Sequence, residues 1–146
     1  MPATGRTDPY TVFNFLVEID GIPAAAFASA SGLESETAVI EYRTGGDPLT
    51  VHKLSGLTKY ANIVLKRGLT RDASLWNWRR EIVNGKPDRR NGSVVLLDET
   101  GQQVLRWNFV RGWPARWEGP ALNARANEVA IETLEIAHEG LELEVG

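Results

Sequence analysis

Cysteine is absent from this chain, which excludes disulfides and thiolate metal sites, so the fold must rest on packing and hydrogen bonding. Histidine occurs only at 52 and 138. With no H-x-x-x-H or H-E-x-x-H spacing, the two cannot begin a zinc site, which takes three or four ligands. A nucleophilic serine would need one of these histidines as its base, and no G-x-S-x-G elbow is present; Lys53-Leu54-Ser55-Gly56 lacks the first glycine. Gly45 and Gly46 belong to neither G-x-x-x-x-G-K-[ST] nor G-x-G-x-x-G, so they read as a turn and not as a phosphate cradle. No run approaches the ~18 consecutive apolar residues of a membrane span. Positions 1–21 show no basic start, apolar block and small-residue cleavage site, so a soluble product made in the cytoplasm is expected. A strong basic excess is missing too: 16 Lys and Arg stand against 19 Asp and Glu. That balance argues against a dedicated nucleic-acid binder.

What is present is 42% hydrophobic content in 146 residues, enough for one core and too short for two domains. Most of it alternates. Phe13, Phe15, Val17 and Ile19 share one face of a strand within 10–20, and Gly21 to Pro23 supply a turn. The run from Ala24 to Tyr42 reads as one long bent strand or two short ones. Turn formers crowd 43–56, an expected long inter-strand loop, and loops of that length are often functional. A further strand is expected over 60–66. One helix is expected over 72–84, with Thr70 or Asp72 capping its start, Gly85 its exit, and Leu75, Trp78 and Ile82 on one stripe. Four more strand-like runs follow at 93–97, 104–113, 127–137 and 141–145. In the third, the apolar positions shift from Val129 and Ile131 to Leu134 and Ile136, which predicts a bulge or a strand covered on both faces. With six to eight strands, one helix and no βαβ rhythm, the expected fold is a mainly β, antiparallel sandwich or barrel with one flanking α-helix, in a single domain over 1–146.

Several surface features have two readings. Glu34 with Glu36, and Glu142 with Glu144, share a strand face and could suit glycosidase chemistry in a cleft; a solvated sheet surface explains them better. Arg79, Arg80, Lys86, Arg89 and Arg90, with Trp76 and Trp78 interleaved, could meet a polyanion, or could pair with acids of the same chain. Trp113 and Trp117 flank Pro114 near an edge, and the mix of aromatics and arginine suits a subunit interface.

A set of phrases spread over nearly the whole chain resembles the phage tail-tube family, the T4-like tube proteins and their relatives in contractile injection systems. They are Asp8-Pro9-Tyr10 leading into Phe13-Asn14-Phe15-Leu16-Val17-Glu18-Ile19-Asp20-Gly21, Ser31-Gly32-Leu33, Glu41-Tyr42-Arg43 with Gly45-Gly46, and Lys53-Leu54-Ser55-Gly56-Leu57-Thr58-Lys59-Tyr60. Further on come Leu65-Lys66-Arg67-Gly68, Trp107-Asn108-Phe109, Ala130-Ile131-Glu132 and His138-Glu139-Gly140-Leu141.

The resemblance implies a structural protein that catalyses nothing and needs no cofactor. Six subunits would join edge to edge into a ring, and rings would stack head to tail into a tube inside a sheath. Sheath protein and the baseplate or spike hub are the implied partners, with DNA or a protein toxin as cargo in the lumen. Assembly would take place in the bacterial cytoplasm, and the product would be part of a virion tail or an injection particle. Expected ring-to-ring contacts are Tyr10, Arg43, Gly45, Gly46, Asp47 and Lys53, together with the N-terminal extension 1–9. Asn123, Arg125, Asn127 and Glu132 are candidates to face the lumen. Two other readings stand beside this one: a tube-initiating paralogue between spike hub and tube, and a small nucleic-acid-binding domain using the basic helix.

Overall fold

The computed structural model describes residues 14–46, 49–125 and 128–146. In order, the elements are β1 (Asn14–Ile19), β2 (Ile22–Ala26), β3 (Ser29–Ser31), β4 (Ser35–Tyr42), β5 (His52–Tyr60), β6 (Ile63–Gly68), α1 (Ser74–Val83), β7 (Arg90–Leu97), β8 (Gln103–Glu118), β9 (Ile131–Ala137) and β10 (Gly140–Val145). Every strand pairing among them is antiparallel. The fold is therefore mainly β with one flanking helix, as the alternation predicts.

Strand β8 is 16 residues long and serves two layers. Its first half pairs with β7 on one edge and β10 on the other, and β7 continues to β1 and β2. Its second half pairs with β9, which continues to β6 and β3. The change of layer falls at Arg111, whose φ of 54° is the one positive value at a non-glycine residue among the described residues. The Arg111 N–H donates to Asn91 Oδ1 at 3.0 Å, so the bend leaves no orphan donor. Gly112 follows because a Cβ there would lie 2.7 Å from the Phe109 ring and 3.0 Å from Ile136.

Between the layers lie Val17, Ile19, Val94 and Phe109 from the first and Ile63, Leu65, Leu134 and Ile136 from the second, and Leu75 and Trp78 of α1 complete the same core. Each such side chain contributes about 1.5–3 kcal/mol when removed from water. The helix is tied to the body as well as packed on it. Trp78 Nε1–H donates to the Asp88 carbonyl at 2.8 Å, and the Arg79 guanidinium donates to the Pro114 carbonyl at 3.0 Å.

Several expectations need correction. The described residues form ten strands, not six to eight, because the run 24–42 divides into three pieces: it breaks around Ala28, and again at Gly32, where φ is +87°. The expected strand 60–66 is split by Ala61 and Asn62, which lie between β5 and β6. The expected loop 43–56 ends at 51, since His52 onward pairs with β4. Helix α1 starts at Ser74, not 72. Asp72 instead accepts the Ser74 N–H at 3.0 Å and the Ser74 hydroxyl, capping from two residues ahead. In β9 the ladder to β6 runs without interruption. The apparent shift in its apolar pattern arises because Glu132 takes a core position ahead of Leu134 and Ile136.

Candidate functional site

Strands β4 and β5 form a two-stranded sheet separate from the main body. All of β4 is exposed. Cross-strand partners set the two faces. Ile40 lies opposite Leu54, and Tyr42 opposite His52 with their rings stacked 5.2 Å apart. On the other face, the Thr37 and Thr58 hydroxyls bond at 2.8 Å and Glu41 lies opposite Lys53. One face of the hairpin carries an apolar ridge that stands open among the described residues, with Ile40 and Leu54 51% and 53% exposed, and Val39 on the other face is exposed as well.

The root of the hairpin is held firmly. His138 lies between the Tyr60 and Phe109 rings, with Nε2 3.0 Å from the Ala61 carbonyl and Nδ1 3.0 Å from the Gly140 carbonyl. The Ala61 N–H reaches the Glu34 carbonyl at 3.4 Å.

A second apolar surface lies at the opposite end of β6. There the Leu69 N–H donates to the Ala130 carbonyl at 2.8 Å, joining the exit of β6 to the entry of β9. Leu122 and Val129 project from this end, 85% and 77% exposed, beside Leu69. A shallow groove between them is lined by Pro120, Asn123, Glu128 and Ile131.

Among the described residues the main sheets also leave edges open. β2 and β10 bound the first layer and β3 the second. On β10, Leu143 and Val145 continue the inner row beyond the core and stand exposed. The opposite face of this layer is mixed: Arg106 is bonded to Glu18 at 3.1 Å and Asn108 to Glu144 at 3.1 Å, while Val95, the register partner of Arg106, is buried there.

Arg67 on β6 and Glu132 on β9 form an ion pair inside the second layer, only 5% and 3% exposed. Glu132 also accepts from Trp117 Nε1–H at 3.1 Å. Arg67 lies over the Phe27 ring, donates to the Asp72 carbonyl at 3.2 Å, and reaches the Asp72 carboxylate at 3.4 Å. Bonding from Ser74, with Arg67 adding to it, holds the Asp72 carboxyl below the usual carboxylate range.

The expected contact residues Arg43, Gly45 and Gly46 lie between β4 and β5 near the hairpin tip, while Lys53 belongs to β5 itself. Tyr10, Asp47 and Asn127 fall outside the described residues, as does the extension 1–9. Asn123 and Arg125 lie on the exposed loop after β8, where the Arg125 N–H donates to Asn123 Oδ1 at 3.1 Å. Glu132 is not a lumen residue: its carboxylate is turned into the core and consumed by Arg67 and Trp117. The basic cluster is largely bound to its own chain. Lys86 pairs with Glu81, Arg89 with Glu139, Arg90 with Asp88, and Arg79 with the Pro114 carbonyl. Trp76 and Trp117 meet edge to face at 4.9 Å. Sequence reasoning missed Ile40, Leu54, Leu122 and Val129, whose apolar character resembles core until their surroundings are known. Among the described residues no helix is long and apolar enough to cross a membrane, and no cluster of three metal-ligating side chains occurs.

Residues 11–142 match the model of the family described as T4-like virus tail tube protein gp19. The fold is similar to that of a chain in the six-fold symmetrised baseplate of the anti-feeding prophage, with a TM-score of 0.85, 26% identity, and coverage of 96% of this chain and 98% of that one. It is similar to a chain of the sheath-tube complex of an extracellular contractile injection system, PVC, with a TM-score of 0.85, 23% identity, and coverage of 94% and 93%. Hcp1 from Flavobacterium johnsoniae shares the fold more distantly, with a TM-score of 0.61, 15% identity, and coverage of 92% and 97%. A comparison with curated proteins found no match.

Proposed function

The chain belongs to the T4-like virus tail tube protein family, and on that basis we propose that it is the structural subunit of the inner tube of a contractile phage tail or contractile injection system. In this reading, copies assemble into stacked hexameric rings around a channel through which cargo passes. The work of the protein is assembly, not catalysis.

The observation that carries this reading is the β4–β5 hairpin, which displays Ile40 and Leu54 on a sheet of only two strands, away from the core. A two-stranded hairpin is marginal in water by itself. A surface of this kind is explained when another subunit covers it. Open edges at β10, β2 and β3 add to the argument, because unpaired strand edges invite aggregation unless neighbours cover them, and a closed ring does so. Six-fold symmetry and a baseplate partner are suggested by the likeness to a chain of the anti-feeding prophage baseplate, and a sheath partner by the likeness to a chain of the PVC sheath-tube complex. Arg43, Gly45, Gly46 and Lys53 are placed at the contact between rings, and Asn123 and Arg125 at the channel rim.

Negative-stain electron microscopy of the purified protein, concentrated stepwise to its solubility limit, tests the reading. Rings of six or hollow tubes are expected. A protein that stays monomeric throughout that range counts against it.

A further inference from the structure

We propose that His138 is a proton-operated clip at the root of the β4–β5 hairpin. While the ring is charged, its two nitrogens tie Ala61 to Gly140; when the ring is neutral, one of the two ties is lost. The proposal concerns the subunit alone and stands apart from the tube reading.

Three observations carry it. First, both partners of the ring are of one kind. Nε2 lies 3.0 Å from the Ala61 carbonyl oxygen and Nδ1 3.0 Å from the Gly140 carbonyl oxygen. A carbonyl oxygen only accepts, and a neutral imidazole has a single N–H, whereas the imidazolium has two. Only the charged ring therefore donates to both. In either neutral tautomer one nitrogen turns its lone pair toward an oxygen lone pair, and such a contact repels.

Second, the surroundings offer the ring no substitute partner. It lies between the Tyr60 and Phe109 rings, with centroids 5.5 Å and 6.0 Å away. A half-turn of the imidazole puts carbons where the nitrogens stand and forfeits both bonds. Nearby charged groups have their own partners. Glu139, next in the chain, meets Arg111 and Arg89, and Lys59 lies opposite Glu36 across the hairpin. Glu34 gives its carbonyl to the Ala61 N–H and lines an open cleft with Tyr60 and Asn62. Among the described residues the two carbonyls are thus the ring's hydrogen-bond partners.

Third, the ring ties the one place where the hairpin's direction is set. The hairpin forms its own two-stranded sheet, outside the ladders of the body. Ala61 and Asn62 join β5 to β6, Gly140 opens β10, and His138 follows the end of β9 at Ala137. One side chain therefore holds the hairpin root against the β9–β10 junction. The tie is complete while the ring is protonated and weakens as pH rises through its titration, which for histidine falls at about pH 5 to 8. Asp72, whose carboxyl is held below the usual carboxylate range, titrates below this window.

Hydrogen exchange followed by NMR on the folded chain, from about pH 5 to about pH 8 and corrected for the intrinsic rate, tests the clip. Protection of the Ala61 amide and of the paired strand ends Ser35 and Tyr60 should fall roughly tenfold across this range, the scale of one hydrogen bond to a charged group. The fall should track the loss of the second ring proton in the His138 ring-nitrogen signals. His52→Gln should show the same fall, because His52 stacks on Tyr42 at the far end of the hairpin. His138→Gln should show none. Protection that is constant with pH in the native chain, or that changes equally in His138→Gln, overturns the proposal. So does a native ring with only one protonated nitrogen at the acid end of the range, a readout that needs no variant and serves even if His138→Gln fails to fold.

Discussion

Arg67 and Glu132 are direct register partners across β6 and β9, and their side chains bond at 2.5 Å inside the second layer. Taking two charges out of water costs several kcal/mol each, and a close, fully hydrogen-bonded pair offsets that cost. Here the offset is shared. Trp117 satisfies the second carboxylate oxygen, and Asp72 and the Phe27 ring accept the rest of the guanidinium. The pair thus joins β6, β8, β9 and the approach to α1.

Removing one partner should be far worse than removing both. Arg67→Met or Glu132→Leu alone is expected to destabilise by about 3–5 kcal/mol, since each leaves a buried charge without its closest partner. The double variant should recover at least half of that loss. Urea denaturation of all three variants checks this, and double-variant stability no better than the singles' would contradict it.

Gly32 has no tolerated replacement. Its φ is +87°, and a Cβ there would lie 1.9 Å from the Asn62 carbonyl oxygen. Gly32→Ala is expected to cost more than about 4 kcal/mol, in the range reserved for steric conflicts that the structure cannot relieve. Gly45→Ala meets nothing within 4 Å and should change stability by less than about 0.5 kcal/mol. Thermal melts of the two variants side by side give the comparison.

Asp72 makes the start of α1 sensitive to acid. Its carboxyl is held below its ordinary range, chiefly by the Ser74 hydroxyl and N–H and in part by Arg67. Because the folded value lies below the unfolded one, the contribution is complete above about pH 4 and fades as pH falls through the folded value. Asp72→Asn should therefore be less stable than the native chain at pH 7, with the gap closing toward pH 2.5. A gap that is constant across this range would show that charge plays no part.

The hairpin should be separable from the fold. Ile40→Glu and Leu54→Lys change residues that touch no core, so subunit stability should move by less than about 0.5 kcal/mol. Assembly, in contrast, should be lost, because each variant places a charge on the ridge that needs cover. Melting curves together with sedimentation at assembling concentrations distinguish the two effects. A variant that unfolds the monomer would place these residues in the core instead.

Much of the fold is legible along the chain because alternation is a local signal. Phe15, Val17 and Ile19 identify the inner face of β1, and Leu75 and Trp78 the inner stripe of α1; in both elements the structure buries members of that set. Gly85, with φ of +81°, exits the helix as its position predicts. The failures arise where a long-range partner overrides local pattern. Glu132 reads as polar surface until Arg67, 65 positions away in sequence, is placed opposite it. His52 and Lys53 read as loop until pairing with Tyr42 and Glu41 extends the hairpin.

Composition and pattern by themselves determine the absence of thiol chemistry, the mainly β architecture, the single helix and the resemblance to tail-tube proteins, since these follow from residue types and short spacings. Only the tertiary structure decides which apolar residues are core and which are interface. Ile40 and Ile63 are the same residue type in the same kind of strand, yet one is 51% exposed and the other fully buried. The difference lies in what crosses over each strand: a second sheet covers β6, and among the described residues nothing buries that face of β4. Burial is a property of distant parts of the chain meeting, which no local pattern encodes.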